Sequence, residues 1–405
     1  MIRTHIIPCK LKREDADALN LESGRIYTGV LVAHWRVVRK KQIWLAEKSG
    51  TRISDSLVEA PLHAHTIDAA QQGFYKACAT AKTLKRVDPG ARYPHWTKKF
   101  RTTVWKNTAI KFKQGELELS NGAHNPKIAI TLPVELLGVL RFLEVRLVYD
   151  KKARHYQWHI VVENGIQPKI AAGNNVVSVD LGEIHPAVVG DENESTLILC
   201  RERRHEAQGH AKRLAKITQA LSRKTKGSRR HKRLIRAKSR MKAQHKRVTH
   251  DMEHKVSRAI VNVAVERQAN TIAMGNIKEI ADGVALGKKT NQKISGWNHG
   301  KIRKLVEYKA EAEGIAVVLV NEAYTSQTCP NCGSRHKPKG RVYRCPSCRF
   351  QGHRDTVGQV NILSAFKFGA AGKIPVPQTT KHRLPFDIRL KRRRPDTGQS
   401  QDCSS

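Results

Sequence analysis

Four cysteines offer the most specific chemistry in this chain. Cys329 and Cys332 form one Cys-x2-Cys pair, Cys345 and Cys348 a second, and twelve residues separate them. Each pair sets two thiolates on a tight knuckle, and Gly333 follows the first where a turn needs positive φ. Two knuckles supply the four soft ligands of a tetrahedral zinc site with no open position, so a structural zinc ion is expected. A ribbon alone would equally suit a transcription factor or a ribosomal protein, so the acidic residues must discriminate. Asp180 closes the apolar run VVSVD, Glu322 follows IAVVLVN, and Asp355 opens DTVGQVNILSAF. Taken singly, an Asp at a strand end is usually a turn residue and an Asp at a helix start is usually a cap. Taken together, carboxylates so placed, Asp180 and Asp355 among them, can converge on two divalent cations about 4 Å apart, which activate water and stabilise the leaving oxygen in phosphodiester hydrolysis.

The elements around these residues supply the required order. After a polar linker, IQPKIAAGNN (166–175), the texture turns to strands alternating with helices. VVSVD is a buried-type strand, and AVVGDENESTLILC reads as a hairpin with its turn in DENES. A basic stretch over 201–250 reads as two helices broken at TKGSRR, and an amphipathic pattern resumes from Met252. TIAMG is a short strand, and 281–296 is a Gly- and Lys-rich loop expected to be mobile. Ile302, Leu305 and Val306 mark a helix closed by Gly314; the strand leading to Glu322 and the helix from Asp355 complete the series. Strand-strand-strand-helix-strand-helix-strand-helix is the order of an RNase H-like sheet, with the acidic residues at strand ends and on a packing helix.

The first 165 residues differ. Residues 20–50 and 56–85 carry helical spacing, whereas 109–120, 127–133 and 142–163 alternate as strands, so a small β unit is interrupted by a helical insert. Between them, PGARYPHWTKKFRTTVW interleaves cations with Tyr93, Trp96, Phe100 and Trp105. Such a segment suits stacking on bases, Trp96 above all, or simple packing into a core.

Charge narrows the class of partner. The 405 residues carry 75 Lys and Arg against 35 Asp and Glu, a formal net charge of +40. That field favours polyanions and repels basic partners. Residues 201–250 alone hold 19 Lys and Arg against two acids. This concentration points to phosphate contact, with Arg223, Lys224, Arg229, Arg230, Lys232 and Arg233 the candidates. No apolar run reaches the roughly 18 residues of a membrane span, and MIRTHIIPCKLK lacks the apolar core of a secretory leader. Cys9, Cys78, Cys200 and Cys403 are scattered, which suits ordinary side chains in a reducing compartment rather than a disulfide framework. The segment after Gly369 reads as a disordered basic tail and a candidate RNA-binding arm.

The motifs VSVDLG (177–182), GSRRHKRL, HGKIRKLVEYKAEAEGI, EAYTSQTCPNCG and YRCPSCRFQGHRDTVGQVNI together resemble the TnpB family of transposon-encoded RNA-guided nucleases and the compact type V CRISPR effectors. The specific resemblance covers roughly 175–365; the front half is similar more loosely. It implies an α+β multidomain fold: a wedge-like β-barrel over 1–165 with a helical recognition insert over about 20–105, then a split RuvC-like core. That core would run over 176–328 and 349–368, with the zinc ribbon at 329–348 and the tail at 369–405. The resemblance further implies catalysis by Asp180, Glu322 and Asp355 with two Mg²⁺, a guide RNA and a target DNA as partners, a monomer or homodimer, and a prokaryotic cytoplasmic location. Two departures stand out. The family usually places Glu at the end of the fourth core strand, where this chain has Gly275 and Asn276; Glu322 resembles a displaced counterpart and Glu279 is a weaker candidate. After Asp355, Val357, Gly358 and Gln359 depart from the family pattern while Asn361 and Ile362 match it. Two other readings follow from the same core: a nuclease-dead RNA-guided repressor, and an RNA-free transposase or nuclease.

Overall fold

The computed structural model describes residues 2–55, 61–122, 125–151, 154–165, 167–171, 173–276, 299–338 and 340–385. The 281–296 loop, Glu279 and the last twenty residues of the tail lie outside these. The chain divides into two compact units, Met1–Gln167 and Pro168–Ser405.

The first unit opens with β1 (Ile2–Pro8), followed by α1 (Arg13–Lys41), α2 (Glu47–Asp55) and α3 (Ala64–Lys85). Short strands β2 (Thr103–Lys106), β3 (Ile110–Lys113), β4 (Glu116–Leu119) and β5 (Ile128–Thr131) precede the long pair β6 (Arg141–Asp150) and β7 (His155–Glu163). Two antiparallel sheets result, β1-β7-β6-β2 and β3-β4-β5. Alternation sends Leu117, Leu119, Ile128 and Ile130 of one sheet, and Val145, Leu147, Ile160 and Val162 of the other, into one shared core. β1 is invisible to alternation because Ile2 and Ile6 stay exposed; its pairing with β7 sets it. The helices pack around Tyr27, Val30, Leu31, Phe74 and Tyr75, and the insert begins at Arg13, earlier than the pattern suggests.

The second unit carries β8 (Asn175–Asp180), β9 (Ala187–Gly190), β10 (Glu194–Ile198), α4 (Arg201–Ser222) and α5 (Arg229–Glu266). It continues with β11 (Ala269–Gly275), α6 (His299–Ala312) and β12 (Ala316–Val320). The hairpin β13 (Val342–Arg344) and β14 (Gln351–His353), α7 (Arg354–Phe368) and β15 (Thr379–Arg383) complete it. The sheet order is β12-β11-β8-β9-β10-β15, with β8, β11 and β12 mutually parallel.

Helices cover both faces of this sheet, so each strand's alternation addresses a different helix. Val177, Val179, Ile272 and Met274 meet Val256, Ile260, Val263, Ile302 and Val306 of α5 and α6. Each such side chain contributes about 1.5–3 kcal/mol by leaving water. Ala273 and Val320 meet Ile362 of α7 on the opposite face. Two readings of the sequence need correction. The second half of the basic stretch and the amphipathic segment after Met252 form one 38-residue helix, α5, because no Gly or Pro interrupts it, while the break read at TKGSRR does separate it from α4. The segment after Gly369 is not a disordered tail throughout: Thr379–Arg383 adds in parallel to β10 as an edge strand. Its residues, TTKHR, bury no apolar face and so carry no pattern. They are held instead by the ladder and by ion pairs Lys381–Glu194 (3.0 Å) and Arg383–Glu266 (2.7 Å).

Candidate active site and zinc ribbon

Strand alternation decides where the acids point. Asp180 shares its face with Ser178, and Ser178 Oγ donates to the main-chain carbonyl of Gln359 on α7 (2.8 Å). Asp180 therefore faces α7, at the C-terminal end of β8. On neighbouring β11, Gly275 falls on the same face as Ala273 and pairs with Val320 of β12. Glu322, two residues beyond Val320, returns to that face. Asp355 stands in the first turn of α7.

Two glycines make room for these carboxylates. A Cβ at Gly275 would lie 1.6 Å from Glu322 Oε1, and a Cβ at Gly358 would lie 2.5 Å from Asp180 Oδ2. The departures noted in the sequence are thus matched to one another. Gly275 is the space into which the displaced glutamate folds, and Gly358 lets α7 approach the Asp180 carboxyl. Gln359 locks that approach: its Nε2 donates to Ser178 Oγ (2.7 Å) and its Oε1 accepts from Ser195 Oγ (2.6 Å). Val357 is fully buried and packs against Cys329, Tyr343 and Cys345, joining α7 to the ribbon. Asn361 ties the segment after Glu322 to α7, donating to the carbonyls of Thr325 (2.7 Å) and Thr328 (2.8 Å). None of these five positioning roles follows from residue type alone; only the departure from the family pattern marks Gly275, Val357, Gly358 and Gln359.

The electrostatics of the cluster call for a cation. Burial pushes the Asp180 carboxyl well above the usual carboxylate range, and the charges of Glu322 and Asp355 push it further, with Arg354 opposing. Burial alone pushes Glu322 up to about 7, and its Oε1 is buried with no hydrogen-bond partner. Crowded carboxylates with an orphaned acceptor, in space kept clear by two glycines, fit a divalent cation, whose charge would favour their ionised forms. Asp355 also has a neighbour that the sequence reading missed: His185 Nδ1 lies 2.7 Å from its Oδ2, and His353 is within reach of both.

The four cysteines converge as their spacing implies. Cys329 Sγ lies 3.6 Å from Cys348 Sγ, and Cys332 Sγ 3.6 Å from Cys345 Sγ. Four sulfurs each about 2.3 Å from a tetrahedral zinc stand about 3.8 Å apart, so the set fits that ion. Gly333 turns the first knuckle at φ 73° and Arg349 the second at φ 61°. The ribbon leads directly through β14 into α7.

The basic residues lie elsewhere in the units. Arg223 and Lys224 flank the turn between α4 and α5, and Arg229, Arg230, Lys232 and Arg233 occupy the first turns of α5; all six are exposed. Ser228 caps α5 by accepting from the His231 amide, and Gly227 at φ 87° allows the reversal. In the first unit, Trp96 is 73% exposed beside Tyr27, Tyr93, Lys98 and Arg101. Trp105 is instead buried against Trp158 in the β core. The segment bearing Trp96 lies directly on α1, where a Cβ at Gly24 would sit 2.4 Å from the Lys99 carbonyl.

A mixed six-stranded sheet flanked by helices on both faces, with acids at its strand ends and a cysteine ribbon inserted before the last helix, defines a RuvC-like, RNase H-like core. Comparison with known proteins agrees. Residues 159–281 match the OrfB_IS605 family model, described as "Probable transposase", and 299–362 match the "Cas12f1-like, TNB domain". A TnpB-like protein of Acanthamoeba polyphaga mimivirus is 26% identical over 88% of this chain and 67% of its own length. The CRISPR-associated endodeoxyribonuclease Cas12f1 of Sulfoacidibacillus thermotolerans is 28% identical over 32% of this chain and 27% of its own. The matches span 43%, 67% and 27% of the first three curated relatives. Among solved structures, a Cas12f1–sgRNA–target DNA complex shares the fold with a TM-score of 0.60 at 12% identity, covering 87% of this chain and 83% of that one. Over these stretches the chain is similar to TnpB-like proteins and to compact type V CRISPR effectors.

Proposed function

We propose that this protein is an RNA-guided DNA endonuclease that hydrolyses phosphodiesters at Asp180, Glu322 and Asp355. The observation that carries the proposal is the mutual fit of Gly275 with Glu322 and Gly358 with Asp180. Each glycine leaves the space one carboxylate occupies, so Glu322 and Asp180 fit at the strand ends beside α7. In this reading Asp180, Glu322 and Asp355 would hold two Mg²⁺ ions, which would supply activation of water and stabilisation of the leaving oxygen. The protein's own contribution is positional. The β8 and β12 ends hold Asp180 and Glu322, α7 holds Asp355, and Asn361 and Gln359 keep α7 seated against both. The zinc ribbon is structural, holding β14 and the start of α7.

The exposed cations at the α4–α5 turn would take the phosphates of a guide RNA or its heteroduplex, while base pairing supplies sequence selection. Trp96 would stack on an unpaired or flanking base. The reading includes a cytoplasmic, nucleoid-associated location. It is tested by cleavage of guide-matched DNA with the co-purified RNA and Mg²⁺. Glu322→Gln should abolish cutting and leave guided DNA binding nearly intact. A parent that binds the matched DNA but never cuts would favour a guided repressor; a parent that cuts without RNA would favour an RNA-free nuclease.

A further inference from the structure

Beside the three acids stands a second constellation of different chemistry. His185 comes from the loop after β8, His353 closes β14, and Asp355 sits two residues on. One ligand atom from each lies within 4.8 Å of the others. His185 Nδ1 and Asp355 Oδ2 are 2.7 Å apart, close to the ~2.9 Å between two atoms bound at right angles about 2.05 Å from one ion.

His353 is the informative member. It occupies the N-cap position of α7, where Ser, Thr, Asp or Asn would normally satisfy a free amide. Its side chain makes no capping bond, and its Nδ1 is buried with no partner among the described residues. The ring instead faces His185 at 5.4 Å between centroids. A residue that makes no capping bond, carries an unpaired buried nitrogen and brings a ring nitrogen within 4.8 Å of a histidine–carboxylate pair has the placement of a ligand.

We propose that His185, His353 and Asp355 form a two-histidine, one-carboxylate site for a first-row transition-metal ion, taken in preference to Mg²⁺. Imidazole nitrogen suits the transition series, whereas Mg²⁺ demands oxygen ligands and retains its waters. Three protein ligands leave positions open for water or a phosphate oxygen. Because Asp355 is shared, the ion held here would take the place of one of the two Mg²⁺ ions of that reading. As a statement about the nuclease's metal the inference rests on the reading above; as a statement about binding it does not.

The probe is Mn²⁺, added to the zinc-loaded protein–RNA complex. Manganese binds nitrogen ligands most weakly of the series, so it is a demanding probe, and it competes poorly for the thiolates of the ribbon. Loss of the free-ion electron paramagnetic resonance signal measures binding, and electron spin-echo modulation by ¹⁴N reports directly ligated imidazole. The parent should bind Mn²⁺ in the presence of a tenfold excess of Mg²⁺ and show nitrogen modulation. His185→Gln and His353→Gln should each weaken that binding at least tenfold and reduce the modulation, with zinc content and circular dichroism unchanged. Glu322→Gln should lose cleavage yet keep the nitrogen-ligated Mn²⁺, which separates failure of the nuclease reading from failure of this one. Bound Mn²⁺ without nitrogen modulation, or affinity unmoved by both histidine variants, would overturn the proposal and leave His185 as a positioning partner of Asp355.

Discussion

The substitution Gly275→Ala isolates the role of Glu322 without touching an acidic residue. Gly275 does not have a positive φ, so alanine meets no backbone strain there. In an ordinary strand the change would stabilise by about 0.5–1 kcal/mol. Here the new Cβ would stand 1.6 Å from Glu322 Oε1 and 2.3 Å from its Cδ. Real contacts of this kind do not fall below 3.0 Å, so the carboxylate must retreat by about 1.4 Å. A glutamate can do so by changing rotamer at a cost of about 0.5–1.5 kcal/mol. Net stability should therefore stay within about 1 kcal/mol of the parent. Catalysis should not: misplacing a reacting group by about 1 Å costs on the order of 100-fold, or about 2.7 kcal/mol of transition-state stabilisation. The assay is single-turnover cleavage of guide-matched DNA in Mg²⁺, beside thermal unfolding and DNA binding. A second variant carries the complementary change, Gly275→Glu with Glu322→Gly, which returns the carboxylate to the strand end used by most of the family. Its cleavage should recover to within about tenfold of the parent, since the two positions face one site from neighbouring strands about 4.8 Å apart. If Gly275→Ala folds, binds and cuts at the parental rate, Glu322 is not part of the reacting constellation and the displaced-glutamate reasoning fails.

Three further outcomes are expected. Cys345→Ser should lose its zinc, measured as metal per chain, and expose 329–353 to limited proteolysis, because a structural zinc ion contributes folding energy directly; full zinc occupancy in the variant would contradict this. Replacing Arg223, Lys224, Arg229, Arg230, Lys232 and Arg233 by Gln should weaken RNA binding and reduce its slope against log salt by about 4 to 5 if all six contact phosphate, whereas an unchanged slope puts the contact elsewhere. In Mg²⁺-free buffer stability should fall as pH rises. The folded chain holds Glu322 protonated up to about 7, whereas the unfolded chain releases that proton near 4.3. The loss begins above the unfolded value and is complete above the folded one. Mg²⁺ or Glu322→Gln should flatten the thermal-unfolding profile between about pH 5 and 8, and a profile insensitive to both would remove Glu322 from the buried cluster.

The sequence by itself determined the features that depend on local spacing. The four cysteines are readable because two knuckles need nothing beyond the chain's own turns to present four thiolates. The order of strands and helices after residue 175 is legible because buried strands and amphipathic helices impose different periods, and the excess of cations at 201–250 needs no structure to be seen. Tertiary structure decided whatever depends on residues far apart in the chain. Alternation placed Asp180 and Gly275 on the face toward α7, but only the parallel register of β11 with β12 put Glu322 against Gly275. Val357, Gly358 and Gln359 look like lapses from a family pattern until α7 is packed, when each meets a different neighbour: the ribbon, the Asp180 carboxyl and a pair of buried serines. His185 and His353, 168 residues apart, have no shared periodicity and meet through the packing of α7 and the ribbon beside β8. The strand at 379–383 was hidden for the opposite reason. It buries no side chain of its own and is held by backbone pairing and ion pairs, which leave no hydrophobic mark on a sequence.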